Sequence, residues 1–191
     1  MIEVKYYGGN RFRIREKRAQ IFLGLPESAV KSDVFLLPGG IGEQNSKNLI
    51  GKNREKPFII SGPGEYEVAG VEVWGGNNGY WLIRIGNWRF CFISGDWKVP
   101  DEKKTAKFEQ LDLLFLTLKK NLVEVKDAVE LIKRISPLIV IPGVDPSLKD
   151  PSWKKVFLDA MDREDLKPQG ELKIEKSDLP EETTVVLLGE R

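Results

Sequence analysis

The sequence predicts two β-sheets covered by helices, an α+β sandwich in a single domain spanning 1–191, and three observations carry that reading. The first two thirds of the chain hold many short runs that alternate or are rich in β-branched and aromatic residues. Glycine-rich turns separate those runs. Beyond residue 96 the texture changes, and fully apolar strands intersperse with helical stripes.

The early strands are Ile2–Tyr7, Arg11–Arg15, Ala19–Leu23, Val34–Leu37, Phe58–Ile60, Tyr66–Val68, Val71–Trp74, Trp81–Ile85 and Arg89–Ile93. Gly8-Gly9-Asn10, Gly62-Pro63-Gly64 and the stretch from Gly75 to Gly79 bound them as turns. The two residues Gly86-Asn87 between matching runs predict a hairpin, and Val71–Trp74 with Trp81–Ile85 predicts another. A short helix is expected over Asp101 to Leu111. Leu113–Leu118 and Leu138–Ile141 read as buried strands, because every residue is apolar or small. Between them Val125, Ala128, Val129, Leu131, Ile132 and Ile135 mark one helix face, closed by Pro137. Ser152 to Met161 gives a further helix, and Leu172–Ile174 and Thr184–Leu188 finish the chain as strands.

Composition narrows the chemistry. The chain has 30 basic and 29 acidic residues for a net charge of +1, so it carries no global electrostatic footprint for nucleic acid or an anionic membrane. It contains no histidine, which removes imidazole as base, shuttle or ligand. One cysteine, Cys91, allows no internal disulfide and no cysteine cluster, and points to a reducing, cytoplasmic setting. The N-terminus shows no apolar targeting segment, and the longest apolar runs are too short to cross a bilayer.

Several segments, taken in order, resemble one family. Phe58-Ile59-Ile60-Ser61-Gly62-Pro63-Gly64-Glu65-Tyr66-Glu67-Val68 is similar to the signature segment of small single-domain metallo-β-lactamase-fold proteins, the group known as Zn-dependent hydrolases. Val4 to Ile14 resembles that family's first hairpin, Ser94-Gly95-Asp96 its metal-bridging Gly-Asp, and Leu138 to Pro142 the strand leading to its last ligand. The segment from Leu172 to Leu188 resembles its closing hairpin. The resemblance implies a four-layer αββα sandwich. It also implies a pair of zinc ions at the edge of the sheets, held by a His-x-His-x-Asp-His loop, further histidines and an aspartate, and activating water.

At the positions where that resemblance places the ligands, this chain has other residues. Gly39 and Ile41 stand for the first two histidines of the loop, Glu43 for its aspartate and Gln44 for its third histidine. The early Gly-His is Gly8-Gly9, and the final histidine position falls at Val144. The Thr-Asp-Pro turn is Gly24-Leu25-Pro26, without its carboxylate, and the loop carrying another histidine is shortened to Gly75 to Gly79. Asp96 alone keeps the family's ligand type. Zinc at a catalytic site uses about three protein ligands, with nitrogen or sulfur giving most of the affinity. The expectation is therefore a hydrolase fold with an emptied site, no catalytic residues and no cofactor.

Each residue singled out has a plainer reading. Asp96 follows Ser94-Gly95 and suits a turn or cap; with Glu43, and Asp145 as a third carboxylate, it gives the alternative of a hard-cation site for a metal-dependent hydrolase, although no spacing forces these carboxylates together. Glu65 and Glu67 share a strand face, where carboxylates are ordinary. Gly39-Gly40-Ile41-Gly42 lacks the Lys-Ser/Thr of a phosphate loop. Cys91 between two phenylalanines reads as a small core residue. Trp74, Trp81 and Trp97 belong to a tryptophan-rich stretch that either packs the sheets or forms a contact rim for a protein partner or a second copy. Trp97, next to Asp96, could plug the vacated pocket. Arg11 to Arg18 is the densest basic cluster, five bases in eight residues; alternation sets its Arg11, Arg13 and Arg15 about 7 Å apart, and they carry a nucleic-acid-binding alternative that overall neutrality disfavours.

Overall fold

The computed structural model describes residues 1–38, 47–75, 79–95, 97–99, 108, 110–118, 122–144 (backbone alone for 122–124) and 152–190. Fifteen strands are present among them. They are β1 (Ile2–Tyr6), β2 (Phe12–Glu16), β3 (Ala19–Leu23), β4 (Val30–Ser32), β5 (Val34–Leu36), β6 (Leu49–Gly51), β7 (Phe58–Ile60), β8 (Gly64–Val68), β9 (Val71–Gly75) and β10 (Tyr80–Ile85). After them come β11 (Trp88–Ile93), β12 (Leu113–Leu118), helix α1 (Leu122–Ile135), β13 (Ile139–Val144), helix α2 (Ser152–Ala160), β14 (Leu172–Ile174) and β15 (Thr184–Val185).

The strands form a six-stranded sheet ordered β14-β1-β2-β3-β5-β7, a seven-stranded sheet ordered β15-β13-β12-β11-β10-β9-β8, and a β4-β6 pair. The local turns set the antiparallel half: β10 and β11 pair from Tyr80↔Ile93 to Ile85↔Trp88 around Gly86-Asn87, as that two-residue turn requires. The other half is parallel. β12 is buried on both faces and lies between β11 and β13, both parallel to it, which explains a run that is apolar at every position but Thr117.

Alternation divides the apolar side chains into two layers. Phe12, Ile14, Trp81, Ile83, Phe90, Phe92, Phe115 and Ile141 lie between the sheets. Within that layer Phe12 contacts Tyr6 and Phe115 at ring separations of 4.9 and 5.0 Å, and Phe90 meets Phe115 edge-on at 5.9 Å. Each buried phenylalanine contributes about 1.5–3 kcal/mol by leaving water. Cys91, Leu114, Leu116 and Leu118 point the other way and receive the Val125, Ala128, Leu131, Ile132 stripe of α1 and Phe157 of α2. Helix α1 ends where Ser136 takes a left-handed φ of 51° and Pro137 cannot continue the helix.

Thus the α+β sandwich stands, with the helices on the outer face of the seven-stranded sheet. The outer face of the six-stranded sheet carries the β4-β6 pair over Phe22 and Phe35, sealed by Leu49 and Val30. Several details differ from the sequence expectation: β15 stops at Val185 instead of running to Leu188, and it pairs with β13 while β14 pairs with β1 in the other sheet, so the two form no hairpin. β4 and β6 were not foreseen, because three-residue strands in polar surroundings carry no periodic signal. β13 continues through Pro142 to Val144 rather than stopping at Ile141. It can do so because β15 pairs only with Ile139 and Val140, so no neighbour on that side needs the N–H that Pro142 lacks. The expected helix over Asp101 to Leu111 falls mainly outside the described residues. No described helix is long and apolar enough to cross a membrane.

Candidate active site at the mouth of the sandwich

The strand-to-loop ends of β11, β12 and β13 meet the first turn of the chain at one end of the sandwich. Here the positions where the resemblance places an early and a late ligand are joined directly: Gly9 and Val144 form an antiparallel backbone bridge. The Tyr6 hydroxyl locks that bridge from below. It donates to the Gly9 carbonyl at 3.2 Å and accepts from the Val144 N–H at 3.1 Å. Burial raises the Tyr6 pKa above its ordinary value, so the phenol keeps its proton and its donor role at neutral pH.

Two glycines make this closure sterically feasible. Gly9 takes a φ of 60°, which a histidine would adopt only with strain. A Cβ on Gly143 would stand 2.4 Å from the Gly9 carbonyl oxygen and 3.0 Å from the Phe12 ring. The close approach of the two backbones therefore depends on the absence of a side chain at 143.

Beside Gly8 the charged groups Arg11 and Glu190 face each other as an ion pair at 3.7 Å, and neutral polar groups complete the mouth. Asn10 donates its amide to the Ser94 hydroxyl at 2.9 Å, and the Ser94 N–H donates to the Gly79 carbonyl at 3.1 Å. Thr117, next in the inward alternation after Leu113 and Phe115 on β12, is 4 % exposed, and its hydroxyl finds no hydrogen-bond partner among the described residues. Sequence reasoning missed both Tyr6 and Thr117. Thr117 left a faint trace as the one polar residue in the run Leu113–Leu118. Tyr6 left none, since the second of its two partners, Val144, lies 138 residues away.

A pair of zinc ions would need nitrogen or sulfur donors at this mouth. The residues present do not fit it. The chain has no histidine, and Cys91 lies fully buried in the layer under the helices, where desolvation pushes its thiol well up. Hydroxyl and amide groups that largely bond one another are poor zinc ligands. Among the described residues no three His, Cys, Asp or Glu side chains come together to hold a metal. Asp96, Glu43 and Gln44, with Gly39 and Ile41, lie outside the described residues, as does Asp145.

The other singled-out residues disperse. Trp81 is 4 % exposed between the sheets, its ring packed so closely over Gly75 that a Cβ there would overlap it. Trp97 is half-buried against the layer under the helices. Trp74 presents its ring on the outer face of β9, with the Arg84 guanidinium 5.9 Å from its centre. Arg11 is held by the Gly8 carbonyl and by Glu27 and Glu190, while Arg13 and Arg15 share Glu3 at 3.4 and 3.1 Å. The three alternating arginines are thus each paired with carboxylates of the same chain.

Comparison with known proteins agrees with the architecture. Residues 3–143 match the family described as the β-lactamase superfamily domain. A proposed Zn-dependent hydrolase of the metallo-β-lactamase superfamily from Thermotoga maritima superimposes with a TM-score of 0.77 at 18 % identity, covering 98 % of this chain and 99 % of the other. The metallo-β-lactamase-fold protein YhfI from Bacillus subtilis gives 0.64 at 7 % identity, covering 99 % and 96 % of the two chains. The metallo hydrolase Igni18 from Ignicoccus hospitalis gives 0.59 at 10 % identity, covering 91 % and 99 %. At these identities the structural likeness establishes the fold alone, and no curated protein sequence matches the chain. On the family match, which spans well over half its length, the chain belongs to the β-lactamase superfamily, with the metallo-β-lactamase fold.

Proposed function

We propose that this protein is a non-catalytic member of the superfamily, serving as a binding, scaffolding or regulatory module for a protein partner. The observation that carries the reading is the Gly9–Val144 bridge under the Tyr6 hydroxyl. Two positions that the family resemblance assigns to metal ligands are spent on closing the backbone of the mouth. The absence of histidine from the whole chain supports the same reading, because the nitrogen donors that dominate zinc affinity have no source.

The test is turnover with phosphodiester, ester and β-lactam substrates after loading with zinc, manganese or magnesium. The expected result is no turnover that EDTA removes. Metal-dependent turnover abolished by Asp96→Ala would instead establish a hydrolase working through oxygen ligands, and the binding-module reading would fall.

A further inference from the structure

The flank of the sandwich opposite β14 and β15 is built differently from the mouth. β7 ends the six-stranded sheet and β8 ends the seven-stranded one, joined only by Ser61-Gly62-Pro63, so two sheet edges lie on the same side. β8 pairs regularly with β9 from Gly64↔Gly75 to Val68↔Val71, and no described strand pairs with its other side. Natural edges are commonly blunted by charged side chains, lysine above all, by proline or by a bulge, and on β8 Glu65 and Glu67 alone supply charge. Within Gly64–Val68 there is neither lysine nor proline, and the register contains no bulge.

The strands bordering this flank carry exposed apolar side chains. Phe58 and Ile59 on β7 are each 38 % exposed and Trp74 on β9 is 37 % exposed. Phe58 packs edge-on against Tyr66 at 6.3 Å, forming an apolar lip between the two edges. Across the outer face of β8–β11 runs a cavity of about 780 Å³, lined by Glu65, Trp74, Leu82, Arg84, Arg89 and Leu111 among others.

Charge selects the occupant. Glu65 and Glu67 project from the outer face of β8, both exposed and with no ion pair recorded among the described residues, while Glu72 behind them is neutralised by Arg84. A second copy pairing antiparallel about Tyr66 would set Glu65 of each copy opposite Glu67 of the other, twice. Like charges directly opposed across a ladder are destabilising. A strand with Lys or Arg at alternate positions reverses that sign, and its intervening apolar residues face the Phe58–Tyr66 lip.

We propose that the free edge of β8 takes up an extended segment of another protein, with basic residues alternating with apolar or β-branched ones, as an added strand. This deepens the binding-module reading and rests on it for the biological role, not for the surface itself. The test pans a displayed library of random segments roughly nine residues long against the full-length protein. The selected sequence is then synthesised and titrated into isotope-labelled wild type and Glu65→Lys/Glu67→Lys protein. Enrichment of Lys or Arg at every second position is expected, together with amide shifts over 64–68. Binding should be about tenfold weaker in the double variant, since two attractive cross-strand pairs become repulsive.

Selected segments without that alternation, shifts located elsewhere, equal binding by the double variant, or failure to select any segment would overturn the proposal. So would sedimentation showing that wild type already dimerises through β8. Zinc content and turnover are read on the same preparation. Metal-dependent turnover would remove the binding-module reading and leave the strand addition standing; a metal-free, inactive protein that selects no segment does the reverse.

Discussion

The mouth of the sandwich and its β7/β8 flank spend their polar groups in opposite ways. At the mouth, backbone that in a metal-binding relative would present side-chain ligands is turned on itself: Gly9 meets Val144, Tyr6 serves both, and Asn10 holds Ser94. At the flank, a regular strand leaves one side of its ladder unpaired among the described residues, beside exposed Phe58, Ile59 and Trp74. Buried polar groups stabilise a fold when they find partners, whereas unpaired edges and exposed aromatics favour association. The contrast teaches that Gly9, Val144 and Tyr6 bond one another at the mouth, whereas the exposed ladder edge without a described partner lies at the flank.

The comparison makes graded predictions. Gly143→Val should have the largest effect, because a branched side chain would press on the Gly9 carbonyl and Phe12. A loss of about 3 kcal/mol in urea unfolding is expected from that overpacking; a neutral outcome would mean that the mouth is loose, and the contrast with the flank would disappear.

Tyr6→Phe should cost about 1–2 kcal/mol at neutral pH, since it leaves the Gly9 carbonyl and the Val144 N–H without their shared partner. Its pH dependence sharpens the assignment. The folded pKa of Tyr6 lies above the ordinary 10.0, chiefly through burial. Its contribution is therefore complete below pH 10 and lost as pH rises towards the folded value, because the native state then binds more protons than the unfolded one. Wild type should lose stability above pH 10 more steeply than Tyr6→Phe; parallel alkaline limbs would show that the phenol is not buried as described.

At the flank, Glu65→Lys/Glu67→Lys should change stability by no more than about 0.5 kcal/mol, as expected for exposed positions. A large loss of stability would mark the edge as a structural element rather than a surface held for a partner.

Much of this architecture was legible in the sequence, because its signals are local. Gly86-Asn87 fixed the register of β10 and β11, and the spacing from Val125 to Ile135 placed the buried face of α1. The run Leu113–Leu118, apolar but for Thr117, announced a strand covered on both faces. The resemblance located Gly9 and Val144 as altered positions. That they touch was not legible, since a contact between residue 9 and residue 144 leaves no mark in either neighbourhood. The division of the tryptophans was legible only in part. Trp81 and Leu82, consecutive on a strand, lie on opposite faces, in the two separate apolar layers. That Trp74 alone of the three candidates would present an open ring depends on strand order, which places β9 next to the free edge.

The central claim is that the mouth is closed by its own backbone and holds no native metal pair. Elemental mass spectrometry tests it most directly, on protein prepared without a histidine tag from cells supplied with zinc, manganese and iron, then dialysed against a weak chelator. The account predicts less than about a tenth of an equivalent of any of the three, given the donors available. One or two retained equivalents would contradict it.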